Sequence, residues 1–321
     1  MTDGGLDVSM ATTEPTASVV DWPGLVIAMV GGDRREQEIA RQAVATGATV
    51  RAYAIPYPDE GIPGLIRAGS FAEALAGADI ALFPIPGIAP DGALHAPAAA
   101  PERVIPTRAA LAGMRAPAHI ILGWADANLN GHCDALGIQR HEYEWDRELM
   151  LLRAPAIIEG MLRLMIERTD ITIHRARVVQ VGQGAIGALA TRALISLGAR
   201  VHVVARSGEQ RAAAMAAGAE ASPLEALADL LPTADIVLST IPARLLVRPL
   251  LDRVNPRALV IDLSSPPGGV DWDAAKELGL NAVWGRALGN RAPITVGRSQ
   301  WGGIRARIEA IVAARTGDPA R

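Results

Sequence analysis

The chain has 321 residues, half of them hydrophobic and a fifth charged, with a formal charge of −3. That length suits two domains, each able to bury a core, and the charge excludes a general attraction to nucleic acid or to an anionic membrane. A single cysteine, Cys133, excludes an intrachain disulfide framework and a multi-cysteine zinc site.

Met1 to Ser18 is polar and acidic, with neither the basic start nor the apolar stretch of a secretory signal. No apolar run reaches membrane-spanning length. These features predict a cytoplasmic protein whose residues 1–18 form a disordered tail. Lys276 is the only lysine among 31 basic residues, and its helix-like setting argues against Schiff-base chemistry.

Order is expected from about residue 19. Leu25 to Val30 reads as an apolar strand, followed by Gly31-Gly32-Asp33-Arg34-Arg35-Glu36 and a helical pattern through Ile39, Ala40, Ala43 and Val44. Thr49 to Ala54 is a second strand, which predicts an α/β domain over 19–150. This glycine turn lacks G-x-G-x-x-G spacing and carries charges where a pyrophosphate needs bare backbone, so it reads as a substrate-side turn. Asp33 is placed to cap the helix. Arg35 is a candidate fork for a substrate carboxylate, against the plainer reading of a solvated charge.

Two further strands, Ile80 to Phe83 and His119 to Leu122, end in turns of the kind where ligands of open α/β sheets collect. The Ala- and Pro-rich stretch 88–106 reads as a loop or lid, and its His95 is a candidate acid or base. The six histidines are dispersed without metal-ligand spacing, so no metal is expected. Arg153-Ala154-Pro155 follows, and proline suits a first helical turn, which predicts a connecting helix over about 155–168. Glu159 then falls in the first turns, where the macrodipole favours a carboxylate. A second domain is predicted over 151–321.

Val178 to Ser207 reads as strand, glycine turn, helix and strand. In Gly182-Gln183-Gly184-Ala185-Ile186-Gly187, Gly182 allows the tight turn, Gly184 the approach of a pyrophosphate, and Gly187 the packing of helix on strand. The helix start offers N–H groups to the phosphates. The second strand ends in Ala205-Arg206-Ser207, without the acid that NAD-selective sites place there. Arg206 and Ser207 suit a 2′-phosphate, so NADP is the expected cofactor. Strands at Ala234 to Ser239 and Ala258 to Leu263 end near Thr240, Ile241, Pro242, Leu263 and Ser264, the expected lining of the nicotinamide crevice. Asn281 to Trp284 is a shorter strand. A last helix over about 299–313 either completes this domain or returns to the first.

Together these motifs resemble the dipicolinate synthase A-subunit family. The likeness rests on Gly31-Gly32-Asp33-x-Arg35-x-x-Glu38, Glu159-Gly160, Thr169-Asp170-x-Thr172-Ile173-His174, Ala205-Arg206-Ser207, Thr240-Ile241-Pro242 and Asp262 to Asp271. It spans about Leu25 to Val312. The resemblance implies a flavodoxin/Rossmann-like α/β domain followed by a doubly wound, parallel-sheet NADP-binding Rossmann domain. It also implies oxidation of dihydrodipicolinate with hydride passing to NADP. Arg35 and Arg153 would then hold carboxylates and Asp33 or Glu159 would take the ring proton. The expected partners are a small carboxylate substrate, another copy of the chain and a small flavoprotein-like B-subunit. Two segments depart from the family: Arg153 to Ile157, where Asn-x-Ile-Pro-Thr is usual, and Ala287 to Pro293, where Pro-Gly-x-x-Ala-Pro is usual. They keep open reduction of another keto acid or cyclic imine, and a nucleotide-binding subunit without turnover.

Overall fold

A computed structural model describes residues 20–89 and 91–316; the tail expected over 1–18 lies outside them. The first half runs β1 (Val26–Val30), α1 (Arg34–Val44), β2 (Thr49–Tyr53), β3 (Leu65–Arg67), α2 (Phe71–Leu75), β4 (Ile80–Leu82), α3 (Arg108–Leu111), β5 (His119–Leu122), α4 (Ala127–Leu136) and β6 (Gln139–Glu142). Helix α5 (Arg147–Arg168) leads to β7 (Arg177–Val181), α6 (Ala185–Ser196), β8 (Arg200–Val204), α7 (Gly208–Ala216) and β9 (Glu220–Ser222). Then come α8 (Leu227–Leu230), β10 (Ile236–Ser239), α9 (Arg248–Leu251), β11 (Leu259–Asp262), α10 (Trp272–Glu277), β12 (Asn281–Trp284) and α11 (Pro293–Thr316).

The strands form two six-stranded parallel sheets, ordered β3-β2-β1-β4-β5-β6 and β12-β11-β10-β7-β8-β9. Each sheet has the dinucleotide-fold order 3-2-1-4-5-6, with the reversal of winding between β1 and β4 and between β7 and β10. Helices cover both faces, which is why the central strands β1, β4, β5, β7, β10 and β11 are near-continuous buried apolar runs. The sheet edges read differently. Strands β3, β6 and β9 are short, half-exposed and polar in part, so no apolar run announces them.

Two helices tie the sheets together. Helix α5 begins at Arg147, capped by the Asp146 carboxylate, which accepts from the N–H groups of Glu148 and Leu149. Pro155 therefore does not open the helix; it sits in the interior on the exposed face. Leu149 and Ala156 pack in the first core, whereas Ile158, Met161, Leu164 and Met165 pack in the second. One helix thus belongs to both hydrophobic cores. Helix α11 starts at Pro293 and returns to the first sheet: Trp301, Ile304, Ile308 and Ile311 share a core with Ile27, Ile39 and Val50.

The return of α11 requires close contact with α1. A Cβ on Gly297 would lie 2.6 Å from Glu38 Cβ and 2.7 Å from the Arg35 carbonyl oxygen. Arg298 Nε donates to Glu38 Oε1 at 2.8 Å beside this contact. Gly297→Ala is accordingly expected to destabilise the protein by about 1–3 kcal/mol through overpacking. Urea unfolding checks this, and an unchanged midpoint would show that α1 and α11 have room to part.

Candidate active site in the interdomain cleft

Because both sheets present the carboxyl ends of their strands to each other, the two reversal points open onto one cavity of about 720 Å³. Its second-domain wall carries Gly184 to Gly187, Thr240, Pro242, Leu263 and Ser264. Its first-domain wall carries Arg35, His95, Trp124 and Glu144, and α5 adds Arg153.

The three glycines of the turn have different physical causes. Gly182 has φ +98°, and a Cβ there would lie 2.6 Å from Thr240 Oγ1 and 2.7 Å from Ile241 Cγ1. A Cβ on Gly187 would lie 2.6 Å from the Gly182 carbonyl oxygen. At Gly184 a Cβ would meet nothing within 4 Å, so the protein's own packing does not demand glycine there. Gly184 also N-caps α6 without a side-chain hydrogen bond, leaving the first N–H groups of the helix open beside the cavity. A bare cradle at a helix start fits a pyrophosphate. The loop is held from below: Gln180 Nε2 donates to the carbonyls of Gly182 and Gly187 and to Gln183 Oε1. Thr191 Oγ1 also donates to Gln183 Oε1, so the Gln183 side chain is turned inward and only its backbone remains for a ligand.

Arg206 and Ser207 follow β8 at the exposed rim beyond the cavity lining. Ser207 Oγ caps α7 by accepting from Gln210 N, and Arg211 Nη1 donates to the carbonyls of Ala205 and Arg206, fixing the loop. At the end of β11, buried Asp262 accepts from Ser264 N and Oγ and from Gly269 N, which shapes the Ser264 to Gly269 loop.

On the opposite wall Asp33 caps α1, as expected, and Glu36 completes a capping box. Asp33 does more than cap. Arg35 donates to it from Nε at 2.9 Å and from Nη2 at 2.8 Å, and both side chains are only 5% exposed. His95 Nε2 lies 3.3 Å from Asp33 Oδ2. Burial opposes ionisation of Asp33, but the hydrogen bonds from His95 and Arg35 and the guanidinium charge outweigh it, holding the carboxyl well below the usual range. Glu36 is shifted the other way, upward, by burial. Arg35 thus spends two donors on Asp33. Arg153 is similar: Nη2 donates to Glu144 Oε2 at 2.7 Å, while its buried Nη1 has no partner among the described residues. Glu144 Oε1 accepts from Ser265 Oγ at 3.2 Å, joining the two walls.

Glu159 is the misplaced expectation. Starting α5 at Arg147 moves it out of the first turns to mid-helix, where it is half-exposed, outside the cavity lining, and paired with Arg291 at 2.5 Å. Its neighbour Gly160 has a clear packing role, since a Cβ there would lie 2.8 Å from Leu288 Cβ. Arg286, Glu144 and Ser265 line the cavity without having been singled out, because only distant chain segments bring them there. Among the described residues no group of three His, Cys, Asp or Glu could hold a metal ion, and no helix is long and apolar enough to cross a membrane.

Comparison with known proteins agrees with this architecture. Residues 26–143 match the dipicolinate synthase A-subunit N-terminal domain, and residues 164–275 match shikimate/quinate 5-dehydrogenase. The dipicolinate synthase A-subunit of Bacillus subtilis is 28% identical over 281 residues, 86% of this chain and 93% of the relative. The chain is similar to dipicolinate synthase A-subunits along most of its length. The solved dipicolinate synthase A-subunits from Bacillus halodurans and Bacillus subtilis are each 26% identical to this chain. They superpose with TM-scores of 0.84 and 0.77, covering 89% and 91% of this chain and 98% of each relative. A transhydrogenase from Sinorhizobium meliloti, 17% identical, shares the fold at a TM-score of 0.60, over 86% of this chain and 88% of its own. Similarity to the dipicolinate synthase A-subunit and the dehydrogenase-type second half support an oxidoreductase.

The buried pair makes a testable demand. Asp33→Ala would leave a buried guanidinium unpaired, an expected loss of about 3–5 kcal/mol at pH 7. The folded carboxyl titrates below its unfolded value, so its contribution is complete above the ordinary carboxylate range and is lost as pH falls toward the depressed folded value. The difference between wild type and variant in urea should therefore shrink below about pH 4. A difference that stays constant into acid would show that the carboxylate charge is not its source.

Proposed function

We propose that the protein transfers hydride between NADP(H) and a small ring carboxylate such as dihydrodipicolinate. The observation that carries this reading is one cavity with an uncapped, glycine-lined helix start on one wall and two half-committed guanidiniums, Arg35 and Arg153, on the other. The nicotinamide dinucleotide, when bound, supplies the hydride acceptor or donor. Gly182, Gln183, Gly184, Ala185 and Ile186 hold its pyrophosphate through backbone N–H groups, and Arg206 with Ser207 read the 2′-phosphate. Thr240, Ile241, Pro242, Leu263 and Ser264 bound its nicotinamide end; Ile241 does so by packing over Gly182 rather than by lining the cavity.

Across the cleft, Arg35 and Arg153 bind substrate carboxylates through the nitrogen each leaves uncommitted. Fixing the ring against the nicotinamide gains rate by proximity, and the apolar walls around Trp124 and Ile157 exclude water. The name of the relative, an A-subunit, supports a companion protein, which we take to be small and flavoprotein-like; self-association is also expected. A second reading, reduction of another keto acid or cyclic imine, is favoured by Arg153, which stands where the family usually has a polar, uncharged segment, and by Arg286 at the cavity wall.

Two measurements test this. NADPH should form when the full chain meets NADP and freshly generated dihydrodipicolinate. Consumption of NADPH with other keto acids or imines, and none of the first reaction, would transfer the function to the second reading. Arg206→Ala should weaken NADPH binding roughly 10- to 100-fold, the worth of one or two charge-assisted hydrogen bonds, while NADH binding changes little. Equal losses for both nucleotides would rule out 2′-phosphate recognition by Arg206.

A further inference from the structure

Each carboxylate around the cleft already holds partners, and Asp33 is the most heavily engaged. Asp33 Oδ1 accepts from Arg35 N and Nε, and Oδ2 accepts from Arg35 Nη2 and faces His95 Nε2. A carboxylate offers about four lone-pair directions, so none remains for a substrate proton. Glu36 accepts from the N–H groups of Asp33 and Ile85, and Glu144 from Arg153 and Ser265. His95 is different. It lines the cavity, its side chain is 36% exposed, and with Nε2 turned to Asp33 its Nδ1 has no partner among the described residues.

The backbone holds His95 in that place. Gly32 N donates to the His95 carbonyl at 2.6 Å, and Gly31 and Gly32 both have positive φ. A Cβ on Gly31 would lie 3.1 Å from that carbonyl oxygen. On the other side, Leu94 N donates to the Val104 carbonyl, and Leu94 bridges Ile88. The double-glycine turn that begins α1 is therefore the seat of the His95 loop as well as the support of Asp33.

We propose that His95, oriented by Asp33, is the proton acceptor of the hydride-transfer reaction, an inference that rests on the function proposed above. Asp33 accepts the Nε2–H, which fixes the tautomer and leaves the lone pair on Nδ1. In the oxidation, one ring hydrogen leaves with its electron pair to the nicotinamide and a second leaves as a proton to His95 Nδ1. The ring becomes aromatic, the nucleotide is reduced, and Asp33 stays ionised beside the imidazolium. In reduction the same Nδ1 returns the proton. Arg35, besides holding a substrate carboxylate, keeps Asp33 anionic in this scheme.

Turnover of freshly generated dihydrodipicolinate with NADP by the full chain tests the proposal. His95→Gln should lower kcat by about 100-fold or more, the usual worth of a general base, with KM and the Kd for NADPH within about threefold, and imidazole should restore part of the activity of His95→Ala. Retention of more than a third of kcat in His95→Gln, or no recovery with imidazole, overturns it. Absence of turnover by the wild type removes the proposed substrate, and the dyad is then decided by nitrogen NMR of histidine-labelled protein, with His95→Gln assigning the signal. The expected result is a His95 ring protonated at Nε2 and free at Nδ1, whose Nδ1 signal moves when pyridine-2,6-dicarboxylate is added. A ring protonated at Nδ1, or one indifferent to the dicarboxylate, overturns the proposal.

Discussion

A buried guanidinium must be neutralised, and the first wall of the cleft is organised by how Arg35 meets that demand. Its partner Asp33 lies two residues before it, on the far side of a helix cap, so the same carboxylate ends the glycine turn, starts α1 and holds the charge. The capping box then draws Glu36 back to Asp33 N, and the other oxygen of Glu36 accepts from Ile85 N, which fixes the loop after β4 to the start of α1. These are the two strands at the reversal point of the sheet. One ion pair therefore sets the geometry of the crevice where open α/β sheets bind ligands.

The second constraint is the sharing of helices between cores. Had α11 completed the second sheet, α5 alone would join the two cores behind the cleft. Instead α5 places its first half in one core and its second half in the other, and α11 packs on α1 with glycine-close contact. The ion pair of Arg307 with Asp146, at 2.9 Å, fastens α11 to the cap of α5. The link from Ser265 to Glu144 across the cavity mouth is a single hydrogen bond by comparison.

What the sequence made legible follows from the range of each interaction. The glycine turn at 182–187 was readable because its requirement is local: backbone that no side chain permits, next to an apolar strand. Central strands were readable because burial on both faces writes an apolar run, and the edges β3, β6 and β9 were not because half of their surface meets water. The start of α5 is not legible from Pro155, because proline is tolerated on an exposed helix face, and Asp146, the residue that caps the helix, lies further back. The cluster of Arg153, Glu144 and Ser265 was invisible for another reason. Its members are separated by up to 121 positions and gain meaning only when the two sheets face each other.

The same reasoning explains why acids identified by type were poor guides to chemistry at this site. A carboxylate near a glycine turn is as useful for holding a cation as for taking a proton, and the two jobs are incompatible, because the stabilisation that keeps it ionised removes its basicity. Asp33 is held firmly enough that its remaining influence is exerted through what it holds: the guanidinium of Arg35 and the imidazole of His95. Arg153 extends the pattern to helix α5. Its charge is matched by Glu144, yet the buried Nη1 remains unsatisfied, and a buried donor without an acceptor costs about 1–3 kcal/mol. An anionic group on a ligand would recover that energy on binding. On the proposed reading of Arg153, that unpaired donor would penalise any ligand that lacks the matching oxygen.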